Sequence, residues 1–137
     1  RVTDVIELAG DDIVVYAGER VVDSFLLGAK GYVNPYGNYI PQASAGIWPL
    51  LTSGRIAEAR TVERYIRAFD AIIAQGHPTY GHQCYSKRLA AWAGYPMGPV
   101  RAPLTTFDQL GEEGKVRLSR IVAIIEELND YAAGLTR

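Results

Sequence analysis

Two polar clusters sit where apolar runs of the sequence end: Gly18-Glu19-Arg20 after "DIVVYAG", and Val33-Asn34-Pro35-Tyr36 inside "GAKGYVNPYGNYIP". These residue types bind and orient a ligand rather than break its bonds. Gly18 lets a ligand or a neighbouring backbone approach closely. Asn34 carries both amide donors and a carbonyl acceptor. Glu19 would accept hydrogen bonds from a hydroxylated ligand, although Glu19 and Arg20 fit equally well as the solvated first turn of the next helix. In parallel α/β folds ligands meet the carboxyl ends of strands, so the two clusters form a candidate ligand-facing rim.

Groups for harder chemistry are sparse. A Schiff-base lysine needs a desolvated place that lowers its pKa. Lys30 falls at the start of the second apolar run, the opposite end from the rim, and Lys87 and Lys115 fall in helical sequence. All three read as surface residues. His77, His82 and Cys84 lie within eight residues of one another, yet zinc needs three or four convergent ligands. No second cysteine or carboxylate cluster accompanies them, so they read as a polar helix start, no metal is expected, and Cys84 lacks the surroundings of an activated thiolate. "GAKG" is too weak a glycine pair to mark a phosphate site, and no motif asks for a cofactor. The nine tyrosines point to core and interface.

The elements that must hold the rim follow from periodicity. "VTDVIELAGDD" (2–12) reads as the end of a helix capped by Thr3, with Val5, Ile6, Leu8 and Ala9 on one face and Gly10 as its stop. "DIVVYAG" (12–18) suits a strand buried on both faces of a parallel sheet. "ERVVDSFLLGA" (19–29) is helical in spacing, and "KGYVNPY" (30–36) is a second strand, which makes a right-handed βαβ unit. A helix begins near Pro41, with Pro49 expected to kink or irregularise its end. Residues 55–76 carry Ile56, Ala59, Val62, Ile66, Phe69 and Ile73 at helical spacing. A second tail helix is predicted over 79–94, an extended connector over 95–107, and a third helix over 106–135 with Thr106 and Gln109 as a capping box. Two apolar parallel strands cannot cover both of their faces alone, which predicts further sheet beside them.

Composition bounds the rest. The chain has 137 residues, 48% of them hydrophobic, and a net charge of −1, as expected for a globular unit. Scattered lysines and arginines offer no stripe for nucleic acid, and no apolar run approaches the length of a membrane span. A single cysteine fits a reducing compartment, the cytoplasm, and no signal-peptide pattern is visible. A chain that opens at Arg1, straight into helical sequence, is expected to be a cut from something longer.

"DIVVYAGE", "LLGAKGYVNPYGNYIP", "GRIAEAR" and "KRLAAWAGYPMGPVRAPLTTF" together resemble the C-terminal half of the dihydrodipicolinate synthase/N-acetylneuraminate lyase family. The resemblance implies an α/β fold: strands seven and eight of a (β/α)8 barrel over residues 1–54, then a three-helix extension over 55–137. It implies a class I aldolase or dehydratase that acts on pyruvate or a related 2-oxo acid through a lysine imine, working as a homo-oligomer (dimer or tetramer). By the same resemblance Gly18 borders the pocket and Val33 turns its carbonyl towards the imine. Asn34 and Pro35 line the pocket beyond it, and Glu19 and Arg20 border the variable part of the substrate.

The resemblance also implies that the imine-forming lysine belongs to strand six, and the catalytic tyrosine and carboxylate-binding loop to earlier strands, all ahead of Arg1. The isolated chain is therefore expected to be inactive. Asn34-Pro35 replaces small residues, and the link into "GAKG" is about two residues shorter than in dihydrodipicolinate synthases, so substrate choice is not carried over. Two other readings stand beside this one. The first is a non-enzymatic fragment that dimerises to cover its sheet edges, and the second is a small helical binding module.

Overall fold

Residues 2–76 and 81–135 are described by a computed structural model of the chain. The first helix, α1 (Val2–Ala9), stops where Gly10 takes φ 54° and its N–H bonds back to Ile6. Thr3 lies inside α1 and so does not cap it. Strand β1 (Tyr16–Ala17), helix α2 (Val21–Leu26) and strand β2 (Gly31–Tyr32) form the βαβ unit. The strands run parallel, with Tyr16 opposite Gly31 and Ala17 opposite Tyr32. Flanking bonds from Lys30 N to the Val15 carbonyl (2.9 Å) and from Val33 N to the Ala17 carbonyl (2.8 Å) extend the ladder. A Cβ on Gly31 would come within 2.5 Å of the exposed Tyr16 ring.

The strands are shorter and barer than the sequence predicts. Ile13 and Val14 are 59% and 60% exposed, because the two-stranded sheet is flanked on neither edge by a further strand among the described residues.

Helix α3 (Pro41–Thr52) starts at its proline as expected and continues three residues beyond Pro49. Pro49 sits in the last turn, where a proline disrupts little that follows. The tail is α4 (Ile56–Gly76), α5 (Gly81–Trp92) and α6 (Gly111–Leu135). The predicted start of α5 at residues 79 and 80, and His77, lie outside the described residues.

An extended connector joins α5 to α6. Lys87 pins it to α5 by donating to the Met97 and Pro99 carbonyls, both at 3.1 Å. The expected single helix from 106 is instead a short 3-10 turn (Asp108–Leu110) ahead of α6. Gln109 does reach back, accepting from Thr106 N at 2.8 Å, but Gly111 at φ 61° and ψ −149° breaks the run before α6.

One hydrophobic cluster joins α2, α3 and the tail, through Val22, Ile47, Phe69, Leu89, Ile121 and Leu128 among others. Helix α4 lies at its centre, packed against α2, α3, α5 and α6. No helix among the described residues is long and apolar enough to cross a membrane.

Candidate functional site

A cleft of about 400 Å³ opens at the carboxyl ends of β1 and β2, within the size range of small-ligand pockets. One wall is the turn after β1, with Gly18, Glu19, Arg20 and Val21. A second comes from β2 and its exit, with Tyr32, Asn34 and Tyr36. The third is α4, which presents Glu63, Ile66, Arg67 and Asp70. Of the six residues predicted from sequence, Gly18, Glu19, Arg20 and Asn34 meet on this cleft. Val33 and Pro35 flank Asn34 without lining it, and Val33 is 68% exposed.

The first rim turn is held in an uncommon shape. Arg20 adopts φ 48° and ψ 55°, the left-handed region that a non-glycine residue seldom occupies. Helix α2 starts directly after it, and no side chain within the turn caps it. The cap comes from 41 residues away: the Val22 N–H donates to Glu63 Oε1 at 3.2 Å. A carboxylate at a helix N-terminus suits both the free N–H groups and the positive end of the helix dipole. Glu63 itself is buried. Arg20 pairs with Asp23 at 3.5 Å, and Asp23 also takes Arg60 of α4 at 3.2 Å.

The second rim is built around the Asn34 carbonyl, which accepts from Tyr36 N at 2.9 Å and from Ser44 Oγ at 3.0 Å. The first of these bonds closes an Asx turn and feeds the 3-10 turn Tyr36–Asn38. Tyr32 stacks on Trp48 and its hydroxyl lies 3.4 Å from Ser44 Oγ. The Tyr36 hydroxyl donates to Asp70 Oδ2 at 2.8 Å. Burial pushes the pKa of both phenols up, and for Tyr36 the Asp70 carboxylate adds to the rise. Both tyrosines therefore remain protonated donors.

Asp70 continues the network into α5. Its Oδ1 lies 3.6 Å from His82 Nε2, and His82 Nδ1 lies 3.3 Å from Ser86 Oγ. The interaction with Asp70 raises the His82 pKa against the burial that lowers it. Cys84, on the same helix, is buried, and burial raises its thiol pKa, the opposite of activation. Among the described residues no three His, Cys, Asp or Glu side chains gather as metal ligands.

Sequence reading missed the α4 wall. A signal was there, since Glu63, Arg67 and Asp70 fall at i, i+4 and i+7, each one position after Val62, Ile66 and Phe69 of the buried stripe. That spacing puts the three on one helix face beside the core. Nothing local told that face from an ordinary solvated one.

Residues 1–124 match the model of the dihydrodipicolinate synthetase family. The 4-hydroxy-tetrahydrodipicolinate synthase 1 of Streptomyces coelicolor is 29% identical over 105 residues, which are 74% of this chain and 33% of that protein. The 4-hydroxy-tetrahydrodipicolinate synthase of Pseudomonas aeruginosa is 30% identical over 112 residues, 77% of this chain and 35% of that protein. The chain thus spans about a third of the length of these relatives. Among solved structures, a catalytic lysine mutant of Ruminococcus gnavus sialic acid aldolase shares the fold with a TM-score of 0.80 at 18% identity. The match covers 94% of this chain and 42% of that one, so the fold is that of part of a barrel aldolase.

Proposed function

The chain belongs to the dihydrodipicolinate synthetase family, and from that premise we propose that it is the closing part of a class I aldolase or dehydratase for pyruvate or a related 2-oxo acid. Residues 1–54 are read as the strand-seven and strand-eight end of the (β/α)8 barrel, and 55–137 as its helical extension. The assembled enzyme is read as a homo-oligomer.

The observation that carries this reading is the cleft at the strand ends, on which Gly18, Glu19, Arg20 and Asn34 converge. In such an enzyme a lysine amine condenses with the 2-oxo carbon and releases water. The protonated imine then accepts the electron pair of the bond broken next to it. The three lysines of this chain do not suit that role. Lys30 precedes β2 at its amino end, Lys87 is engaged with the connector, and Lys115 pairs with Glu112 at 2.6 Å. The imine lysine is therefore assigned to the preceding part of the barrel, and this chain to shaping the pocket.

Borohydride trapping with pyruvate, read by mass spectrometry, tests the assignment. The isolated chain should gain no mass. A polypeptide that adds the six preceding strands should gain one reduced pyruvyl group, on a lysine of the added part. Labelling of Lys30, Lys87 or Lys115, or no labelling of the completed barrel, would overturn it.

A second reading, a fragment that dimerises through its bare sheet, has its own support in the exposed Leu8, Ile13, Val14 and Val33. Sedimentation decides it, because a folded monomer at high concentration excludes it.

A further inference from the structure

Helix α4 joins both rims of the cleft, and it does so with two of its three carboxylates. Glu63 accepts the Val22 N–H behind the first rim, and Asp70 accepts the Tyr36 hydroxyl behind the second. The two lie seven residues apart, about 10 Å along the helix. Arg67 stands between them on the same face, lines the cleft, and makes no ion pair among the described residues.

Of the two arginines that line the cleft, Arg20 is paired with Asp23 and Arg67 is the one left without a carboxylate partner among the described residues. Glu63 and Asp70 each hold one donor, Asp70 Oδ1 has no hydrogen bond and faces His82 at 3.6 Å, and the Asn34 carbonyl is engaged. The Asn34 amide and the Arg67 guanidinium remain as donors, with the Glu19 carboxylate on the strand-end side. A guanidinium offers paired, coplanar N–H groups that match the two oxygens of a carboxylate.

We propose that Arg67 is a specificity residue that binds a second carboxylate, at the end of the ligand away from its 2-oxo group. The parent enzyme would then act on dicarboxylic 2-oxo acids in preference to monocarboxylic ones. The inference rests on the reading above for the 2-oxo end of the ligand and on the α4 wall for the acidic end.

All the walls of the cleft belong to this chain, so binding is measurable on the chain itself. Proton–nitrogen NMR spectra are followed during titration with 2-oxoglutarate, 2-oxobutyrate and inorganic phosphate. 2-Oxoglutarate should shift the Arg67 side-chain signal and the Gly18 and Glu19 amides saturably. 2-Oxobutyrate should bind about tenfold more weakly, as the loss of one charged hydrogen-bonded pair predicts. Arg67→Met should reduce 2-oxoglutarate to the level of 2-oxobutyrate, and Arg67→Lys should restore part of the difference. Equal binding of the two acids, no saturable binding, or an Arg67→Met chain that binds as the parent does would overturn the proposal. Equal shifts with phosphate alone would overturn the carboxylate assignment. The proposed function is tested separately: an imine in the completed barrel with no effect of Arg67 sinks only the subsite, and Arg67-dependent binding without an imine sinks only the catalytic reading.

Discussion

Along α4 and α6 the apolar stripe is closed, with Phe69, Ile121, Ile125 and Leu128 all at 0% exposure. Ahead of α3, Leu8, Ile13, Val14 and Val33 stand at 89%, 59%, 60% and 68%. Residue types are alike in the two regions, and what differs is the supply of partners. Each tail helix finds another helix within the chain. The parallel pair of strands finds α2 and little else, and a two-stranded sheet with uncovered faces has few contacts of its own to rest on. The tail helices thus cover one another and one side of α2 and α3, while the strand region leaves apolar residues in solvent.

Truncation should break this comparison most sharply. Phe69→Ala removes a ring packed edge-on against Tyr36 and Tyr39 and should cost about 3–5 kcal/mol, read as the loss in urea unfolding free energy. Ile13→Ala in the same isolated chain should change it by less than about 0.5 kcal/mol. Equal losses would show that the sheet side is covered in solution. Next in size comes a pair of glycines. A Cβ on Gly114, the buried position in the otherwise exposed first turn of α6, would clash with Leu110 Cβ, so Gly114→Ala should cost about 1–3 kcal/mol by overpacking. At Gly31 the added methyl meets the Tyr16 ring, which is 61% exposed and free to swing away. Gly31→Ala should therefore cost less than Gly114→Ala, and the reverse order would mean that Tyr16 is held.

Legibility divides along the same line. The stripe of α4 was readable because six apolar residues at helical spacing leave one solution, and the tail buries them much as the pattern predicts. The order helix, strand, helix, strand was readable from β-branched runs between turn residues. The burial of those runs was not, because "DIVVYAG" asks for sheet neighbours that the described residues do not supply. Thr3 failed as a cap because the helix had already begun at Val2. In the site, Gly18 to Arg20 and Asn34 were legible as strand ends. Glu63, Arg67 and Asp70 were not, since their role depends on α4 crossing the strand ends, a tertiary fact with no local mark. The cap on α2 makes the point: its donor is Val22, and its acceptor comes 41 residues later.

Because the Glu63 tether joins the two regions, cutting it should show how far the rim depends on the tail. Glu63→Ala leaves the buried Val22 N–H without its acceptor and should cost about 1–2 kcal/mol. Its local signature is faster amide exchange at Val22 and Asp23 with little change at Ile121 or Ile125. Uniform acceleration across both regions would show that the rim and the tail open as one unit.

The smallest effect concerns the charge at the α4–α5 junction. His82 gains a carboxylate neighbour on folding, so its folded pKa lies above the ordinary value of about 6.5. The pair's contribution is thus fully present below about pH 6.5 and is lost as pH rises through the raised folded value. Both side chains are more than a third exposed, so solvent screening holds the gain to a few tenths of a kcal/mol. An NMR titration of the His82 ring should give a midpoint above 6.5 in the parent chain. Asp70→Asn keeps an acceptor for the Tyr36 hydroxyl but removes the charge, and the burial that remains should bring the midpoint to about 6.5 or below. An unchanged midpoint would mean that the 3.6 Å approach of His82 to Asp70 carries no electrostatic coupling. The strand-end rim would then be tied to α4 through the Tyr36 hydroxyl without being linked by charge to α5.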